Sequence, residues 1–417
     1  MTTSNGIVTP EQTQFMARNV ALYPWLRFFI NLLFWQAIWF LYFQETLSAT
    51  EALLLFVVSD MVSTVLEVPS GWFSDRFGRR LTLIIAGLTG ALGGVFLGLG
   101  ETFAAFAIGQ ALLGASMAFV SGTDSAVLYE SLQKLNRAGD VEAEELRGMR
   151  YTFAAMAVSA VLGGGLAVVD SAWAYIAYAL AMAAAFVLAC LLREPLADRA
   201  ATAPGFAAQW HHLREAFGHP VLGWLLCLSL LMYAYSHIPF VFGQPYIAEV
   251  LRLQDIALPP ELVSGAVAAV MTILPFASAL IAPGLRARIG LAPLLLLAFA
   301  IHLAIAAALA ISSAPWVIAV LFLRRVPDSL FRPFVVARAQ PLLSSDSRAT
   351  YLSLVSLFGR LFLSGALLAA SGSVRGAGQM PYEDLQRVLA WFFAAGILCF
   401  VALVLAARRI PIEGDTQ

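Results

Sequence analysis

The sequence predicts an all-α membrane protein with twelve transmembrane helices in two pseudo-symmetric six-helix bundles. Three observations lead there. Of the 417 residues, 60% are hydrophobic and 12% charged, whereas soluble domains hold roughly 45–50% apolar residues. Apolar stretches of the roughly 17–25 residues that cross a bilayer as a helix recur from Ala21 to Ala407. The longest polar interruption, Arg193–Pro220, lies near the middle and divides those stretches into two sets of six.

Residues 1–19 are expected to form a cytoplasmic N-terminal segment, of which Met1 to Gln14 is polar and lacks a basic patch. The apolar stretch after them is too long for a signal-peptide core and has no small-residue cleavage site, so it is expected to be retained as the first span. Runs bounded by charge, glycine or proline place spans at 20–43, 51–73, 80–100, 102–129, 150–169 and 171–192, a bundle over 20–192. Residues 130–150 carry both signs of charge and read as a surface helix. Residues 193–219 are a linker whose 206–217 portion has helical amphipathic spacing. The second bundle, 220–407, holds spans at 220–243, 260–283, 291–312, 315–339, 349–371 and 384–407, and 408–417 form a tail.

Orientation follows from basic residues. If the N-terminus is cytoplasmic, only Arg252, Arg375 and Arg387 fall in outer loops, while the inner loops and termini collect most of the 25 Lys and Arg. The positive-inside rule therefore places both termini in the cytoplasm. A net charge of -1 and the lack of a basic tail argue against a nucleic-acid partner. The three cysteines, Cys190, Cys227 and Cys399, lie in apolar stretches without metal-site spacing, and His211, His212 and His219 make no metal motif. No Ser/His/Asp set or phosphate-binding loop is present. Neither enzyme activity nor a cofactor is expected.

A repeat supports the division into halves. "SGWFSDRFG" (Ser70–Gly78) and "APGLRARIG" (Ala282–Gly290) occupy equivalent loops, with Arg288 opposite Arg76 and Gly290 opposite Gly78. Paired halves with a site at their interface are a transporter architecture. In the first copy, Gly71, Asp75, Arg76, Gly78, Arg79 and Arg80 match the G-x-x-x-D-R-x-G-R-R signature, and with twelve spans and a long central loop the chain resembles the major facilitator superfamily over nearly its whole length. "EVPSG" (Glu67–Gly71), "SGTDSAVLYESL" (Ser121–Leu132) and "RATYLSL" (Arg348–Leu354) look like a poorly characterised bacterial branch near the drug:proton antiporters. The chain departs from those antiporters at Gln110, where they carry arginine, and at Ser159-Ala160, where they carry glycine-proline. The resemblance implies alternating access, with the motif loop as a conformational gate and Glu130 as a partner of its arginines. Local physics adds that Gly71 would permit close helix approach and that Asp75 would face the dipole at the start of the third span. Plain positive-inside anchoring is the alternative for Arg79 and Arg80.

Charge inside a span costs at least roughly 2.5–3.5 kcal/mol, so such residues face a bundle interior or an aqueous cavity. They are Arg27, Asp60, Glu67, Asp124, Arg324, Arg325, Asp328, Arg332 and Arg360. In the fold that the resemblance implies, all of them fall on cavity-lining spans. Arg27, Glu67 and Asp124 share a depth near the inner side. Glu67 and Asp124 would compete for Arg27, and the loser would be poised to bind a proton; a plain structural salt bridge is the alternative. Asp60 is deeper, with no cation of its own half level with it. These three carboxylates are the proton-coupling candidates. Arg324 and Asp328 are spaced to pair on one helix face, leaving Arg325 and Arg360 to seek an anion. With Arg27, Asn31, Trp35 and His237 they are the substrate-binding candidates. Trp39 and Phe40 are possible aromatic lining, and His302, on an outer span, reads as structural. The expectation is a monomeric secondary transporter of a bacterial inner membrane, exporting a small organic anion or zwitterion by proton antiport. Uptake, facilitated diffusion, and an enzyme or sensor on the same scaffold are the alternatives.

Overall fold

The computed structural model describes residues 10–195, 218–343, 345–371 and 380–413. The expected amphipathic helix at 206–217, His211, His212 and Arg375 lie outside the described residues. The described residues are helical with no strand. Among the described residues, eight helices are long and apolar enough to cross a membrane.

In chain order the helices are α1 (Pro10–Ile30), α2 (Trp39–Gln44), α3 (Ala49–Phe77), α4 (Arg79–Leu99), α5 (Phe103–Val120), α6 (Thr123–Lys134), α7 (Val141–Val169) and α8 (Ala172–Leu191). Then follow α9 (Pro220–Leu253), α10 (Pro260–Val270), α11 (Leu274–Ile289), α12 (Leu291–Ile311), α13 (Val326–Ala339), α14 (Ser345–Ser371) and α15 (Tyr382–Ala407). Their starts are written locally. Ser48 and Glu51 form a capping box ahead of α3, with Ser48 N donating to Glu51 Oε2 at 2.9 Å and Glu51 N to Ser48 Oγ at 3.3 Å. The Thr102 hydroxyl caps α5, and proline opens α9 and α10, where its missing N–H has no cost.

Four expected spans are interrupted. The first breaks between α1 and α2 into a 3₁₀ turn, Phe34–Ala37. Freed backbone groups inside a membrane must find partners, and the Phe40 N–H donates to Gln244 Oε1 of α9 at 2.9 Å. The fourth breaks at Gly122, which has a φ of 74°, and the eighth at 271–273. The tenth begins as a 3₁₀ stretch, Pro315–Arg325, and becomes α-helical only at Val326. Pro327 explains the change: it has no N–H to bond the Leu323 carbonyl, which instead accepts from Val326 N in a tighter i→i+3 bond. Residues 141–150 do not form the expected separate surface helix. They extend α7 by almost three turns: no proline interrupts 141–169, and the single glycine between their apolar residues and the span, Gly148, stays helical against the Tyr23 ring.

The chain forms two compact units, Met1–Ala37 with Val58–Ala201, and Ile38–Val57 with Thr202–Gln417. In the first, α4 packs between α8 and α5. Its Gly87 and Gly94 lie on the backbone of Phe186 and Ala179, where an added Cβ would stand 2.7 and 2.9 Å away. Lipid is as apolar as leucine, so such close dispersion contact, more than burial from water, holds membrane helices together. In the second unit α12 packs on α15 and α13, and α9 on α14, α12 and α15. Leu180, Ile281, Trp391 and Leu398 remain exposed, as a lipid-facing surface requires.

Candidate functional site

The opening stretch of the repeat is mostly not a loop. α3 continues to Phe77, so Asp75 sits in its last turn rather than at the start of the next helix. Asp75 is 68% exposed and pairs with Arg79 at 2.6 Å, and the Arg79 Nε reaches Glu130 Oε1 at 3.1 Å. Arg80 Nη2 donates to the Cys190 carbonyl at 2.8 Å, and Arg76 lies over the Trp72 ring. The dipole position expected for Asp75 belongs to Glu194, whose two carboxylate oxygens accept from Arg79 N and Arg80 N, each at 2.8 Å. The constrained glycine is Gly78, with φ 107° and ψ 154°, and a Cβ there would stand 2.6 Å from the Glu194 carboxyl carbon. Gly71 does not mediate close approach: a Cβ on it would meet nothing within 4 Å.

The second half repeats the device. Gly290 has φ 86° and ψ 173°, Leu291 N donates to Glu413 Oε1 at 2.8 Å, and a Cβ on Gly290 would overlap that carboxylate. Sequence reasoning paired the glycines but missed both glutamates. The available signal was position, since each follows the last helix of its own half.

A second polar group fills the first unit. α1 presents Tyr23, Arg27 and Asn31 at i, i+4 and i+8, one helix face. The break at Gly122 starts a new helix, with Asp124 in its first turn. Arg27 Nη1 pairs with Asp124 Oδ2 at 2.7 Å, and Arg27 Nε donates to Thr152 Oγ1 at 3.3 Å. Asn31 Nδ2 donates to the Arg27 carbonyl at 2.7 Å. The expected competition for Arg27 thus ends with Asp124 holding it, while Glu67 is half-buried on α3. Asp60 is buried, and its carbonyl accepts from Thr64. Trp35 does not join this group; its ring stands edge-on to Tyr178 of α8 at 6.2 Å. Tyr23, Glu145 and Thr152 are members that sequence reasoning missed.

The second unit gathers cations. Arg324 Nε donates to the Ser236 carbonyl at 3.2 Å, and its guanidinium lies over Phe240, 4.7 Å from the ring centroid. The Phe240 ring is itself stacked on Trp39 at 5.5 Å and 20°. His237 bonds the Tyr233 carbonyl through Nδ1 at 2.7 Å, and Arg324, Arg325 and Arg360 all act on it electrostatically. The expected Arg324–Asp328 ion pair does not form. Arg324 belongs to the 3₁₀ stretch and turns onto α9, whereas Asp328 is exposed in the first turn of α13. Among the described residues neither Arg324 nor Arg325 makes an ion pair. His302 is 1% exposed, with both ring nitrogens lacking a hydrogen-bond partner among the described residues.

Long apolar helices in two units, each holding charged side chains in its interior, define a multi-pass membrane protein of the transporter class. The Major Facilitator Superfamily profile matches residues 25–369, and the chain belongs to that superfamily. No curated protein sequence matches it. Among solved structures it is similar to a mutant of the nucleoside transporter NupG, with 14% identity and a TM-score of 0.78 over 93% of this chain and 99% of that one. It is also similar to the peptide transporter POT in complex with sulfate, with 12% identity and a TM-score of 0.74 over 97% and 99%. A third similar structure is the POT family transporter PepTSo, with 14% identity and a TM-score of 0.70 over 96% and 98%. At these identities the likeness is one of fold. The family and the fold make this a secondary transporter rather than an enzyme.

Proposed function

We propose that the protein exports a small organic anion or zwitterion from a bacterial cell by alternating access, in exchange for protons. One observation carries the substrate class. Arg324 and Arg325 stand side by side at the end of the 3₁₀ stretch, half-buried and without an ion pair among the described residues. A guanidinium keeps its charge at any physiological pH, so a half-buried pair of them, with Asp328 the one carboxylate among the described residues acting on both and in ion pair with neither, favours a further carboxylate or phosphate. Phe240 and the Ser236 carbonyl fix the Arg324 fork, which lowers the entropy lost when an anion binds. Arg360, His237 and Asp328 complete the substrate group.

Proton coupling is assigned to Asp60, Glu67 and Asp124, the carboxylates of the first unit's spans. The gate is assigned to Gly71, Asp75, Arg76, Gly78, Arg79, Arg80 and Glu130. The positive-inside pattern supports an inner-membrane orientation with both termini in the cytoplasm.

Two measurements test this. In a thermal-shift screen of the purified protein, organic anions are expected to raise the melting temperature and lipophilic cations are not; stabilisation by cations alone overturns the substrate class. In sealed vesicles, flux of a stabilising anion should follow an imposed pH gradient and be abolished by Asp60→Asn. Flux indifferent to pH overturns the coupling.

A further inference from the structure

Glu145 stands apart from the acidic residues around it. Asp140 pairs with Arg137 at 2.7 Å, and Glu144 with Arg147 at 3.5 Å and Arg137 at 3.9 Å. Among the described residues Glu145 makes no ion pair. Its partner is the buried phenol of Tyr23, which donates to Glu145 Oε2 at 2.8 Å. The seat for that phenol is built into α7. Gly148 follows Glu145 by one turn, and a Cβ on it would stand 2.6 Å from Tyr23 Cε1, so any other residue there would push the ring away.

The same hydroxyl is 3.5 Å from Arg27 Nη1. One guanidinium therefore serves two carboxylates, Asp124 directly and Glu145 across Tyr23. The charged and titratable groups nearby are few: Tyr23 and Arg27 from α1, Asp124 and the last-turn Lys134 from α6, Arg137 and Asp140 from the 3₁₀ turn before α7, and Glu142, Glu144 and Arg147 on α7 itself. The 3₁₀ turn Phe34–Ala37 brings none, and α8 brings no charged side chain, its titratable groups being the phenols of Tyr175 and Tyr178 and the thiol of Cys190. With Arg27, Asp124 and Glu145 all ionised, this partly buried group carries one negative charge too many, and a single bound proton removes it. α7 has 29 residues, about 44 Å against a hydrocarbon thickness of about 30 Å, so its first turns reach water.

We propose that Glu145, positioned by Tyr23, is a proton-carrying carboxylate that alternates with Asp124 for the single guanidinium of Arg27. While Arg27 is held by Asp124, Glu145 is the carboxylate without a direct cation and the one that exchanges a proton with water. When Arg27 moves to Glu145, that proton returns to water and Asp124 becomes the carboxylate free to bind one. The inference rests on the proton-coupled reading above and adds a residue to it.

The test needs no solute. Infrared difference spectra of the purified full-length protein, titrated from alkaline to acid pH, should show a carboxylic-acid carbonyl band that Glu145→Gln removes. Gln still accepts from Tyr23, so the packing is kept. Tyr23→Phe, which deletes the hydrogen bond, should shift the band's frequency. Asp124→Asn releases Arg27 to Glu145, and the band should then need about ten- to a thousandfold more protons to appear. If no band is lost in Glu145→Gln, or if Asp124→Asn leaves the titration where it was, the proposal fails; should Glu145→Gln not fold, the other two variants still decide. A band that behaves as stated in a protein showing no pH-driven flux refutes coupled transport and leaves the proton site standing. Coupled flux without the band does the reverse.

Discussion

Replacing Gly78 by alanine tests the carboxylate staple at the start of α4. The backbone there, φ 107° and ψ 154°, is a region open essentially to glycine alone, and another residue held in it costs about 1–3 kcal/mol. The added Cβ would also stand 2.6 Å from the Glu194 carboxyl carbon, so Glu194 must withdraw from the Arg79 and Arg80 amides. Each of those charge-assisted bonds is worth about 1.5–3 kcal/mol when buried. Glu194 is half-exposed, which brings the pair to roughly 2–3 kcal/mol and the whole substitution to roughly 3–6. At about 2 °C per kcal/mol for a unit of this size, Gly78→Ala should melt about 6–12 °C below wild type in detergent. The second arm is a double-mutant cycle. Once Glu194→Ala has removed the carboxylate, Gly78→Ala should cost only its strain, so the two effects fall short of additivity by about 2–3 kcal/mol. A single mutant melting within about 1 °C of wild type, or additive effects in the double mutant, would refute the staple.

The second half gives a graded control. Glu413 accepts one backbone amide where Glu194 accepts two, so Glu413→Ala should lower the melting temperature about half as far as Glu194→Ala. In the first unit, Asp124→Asn removes the direct ion pair of Arg27 and leaves it only Glu145, across the Tyr23 hydroxyl. Breaking a fully buried pair costs about 3–5 kcal/mol; with the Arg27 side chain 20% exposed, about 2–3 is expected by chemical denaturation, more than half of it recovered in the Arg27→Gln/Asp124→Asn double mutant. Phe240→Leu removes both the ring under Arg324 and the stack on Trp39, worth about 1–3 kcal/mol together. It should weaken binding of a stabilising anion as well as lower the melting temperature, whereas loss of stability with unchanged anion binding would detach Phe240 from the substrate group.

What the sequence discloses depends on how far apart in the chain the interacting groups lie. Spans and repeat are legible because hydropathy and glycine spacing are local signals, and most span ends fall within a few residues of the helices observed. Breaks are less legible. Pro327 announces its own, but the break after α1 carries no proline or glycine between Ile30 and Trp39; it persists because Gln244, some two hundred residues away, takes the Phe40 amide. The motif loop shows the same limit. Its arginines point to acidic partners, and Glu130 is one. The residue that shapes the turn, Glu194, is invisible until folding brings the end of α8 beside the start of α4.

The charged groups carry this one step further, because the two halves share scaffold but not chemistry. Gly78 with Glu194 and Gly290 with Glu413 are copies of one device, so the staples belong to what both bundles need in order to stand. The interior charges are not copies. The first unit holds Arg27 with Asp124 at 2.7 Å and Glu145 across a tyrosine, a group short of one positive charge. The second holds Arg324, Arg325 and Arg360 acting on His237, with Asp328 the carboxylate that acts on Arg324 and Arg325 without an ion pair to either, a group with positive charge to spare. A fold required only to be stable would balance charge within each bundle, since uncompensated charge in a membrane is costly. An imbalance of opposite sign in the two halves suits a protein in which a mobile proton completes one group and a mobile anion the other. Neutralising one half alone, by Glu145→Gln or by Arg325→Gln, should therefore stabilise the resting protein while abolishing flux. A substitution that instead destabilised the protein as much as it slowed transport would return that residue to the scaffold.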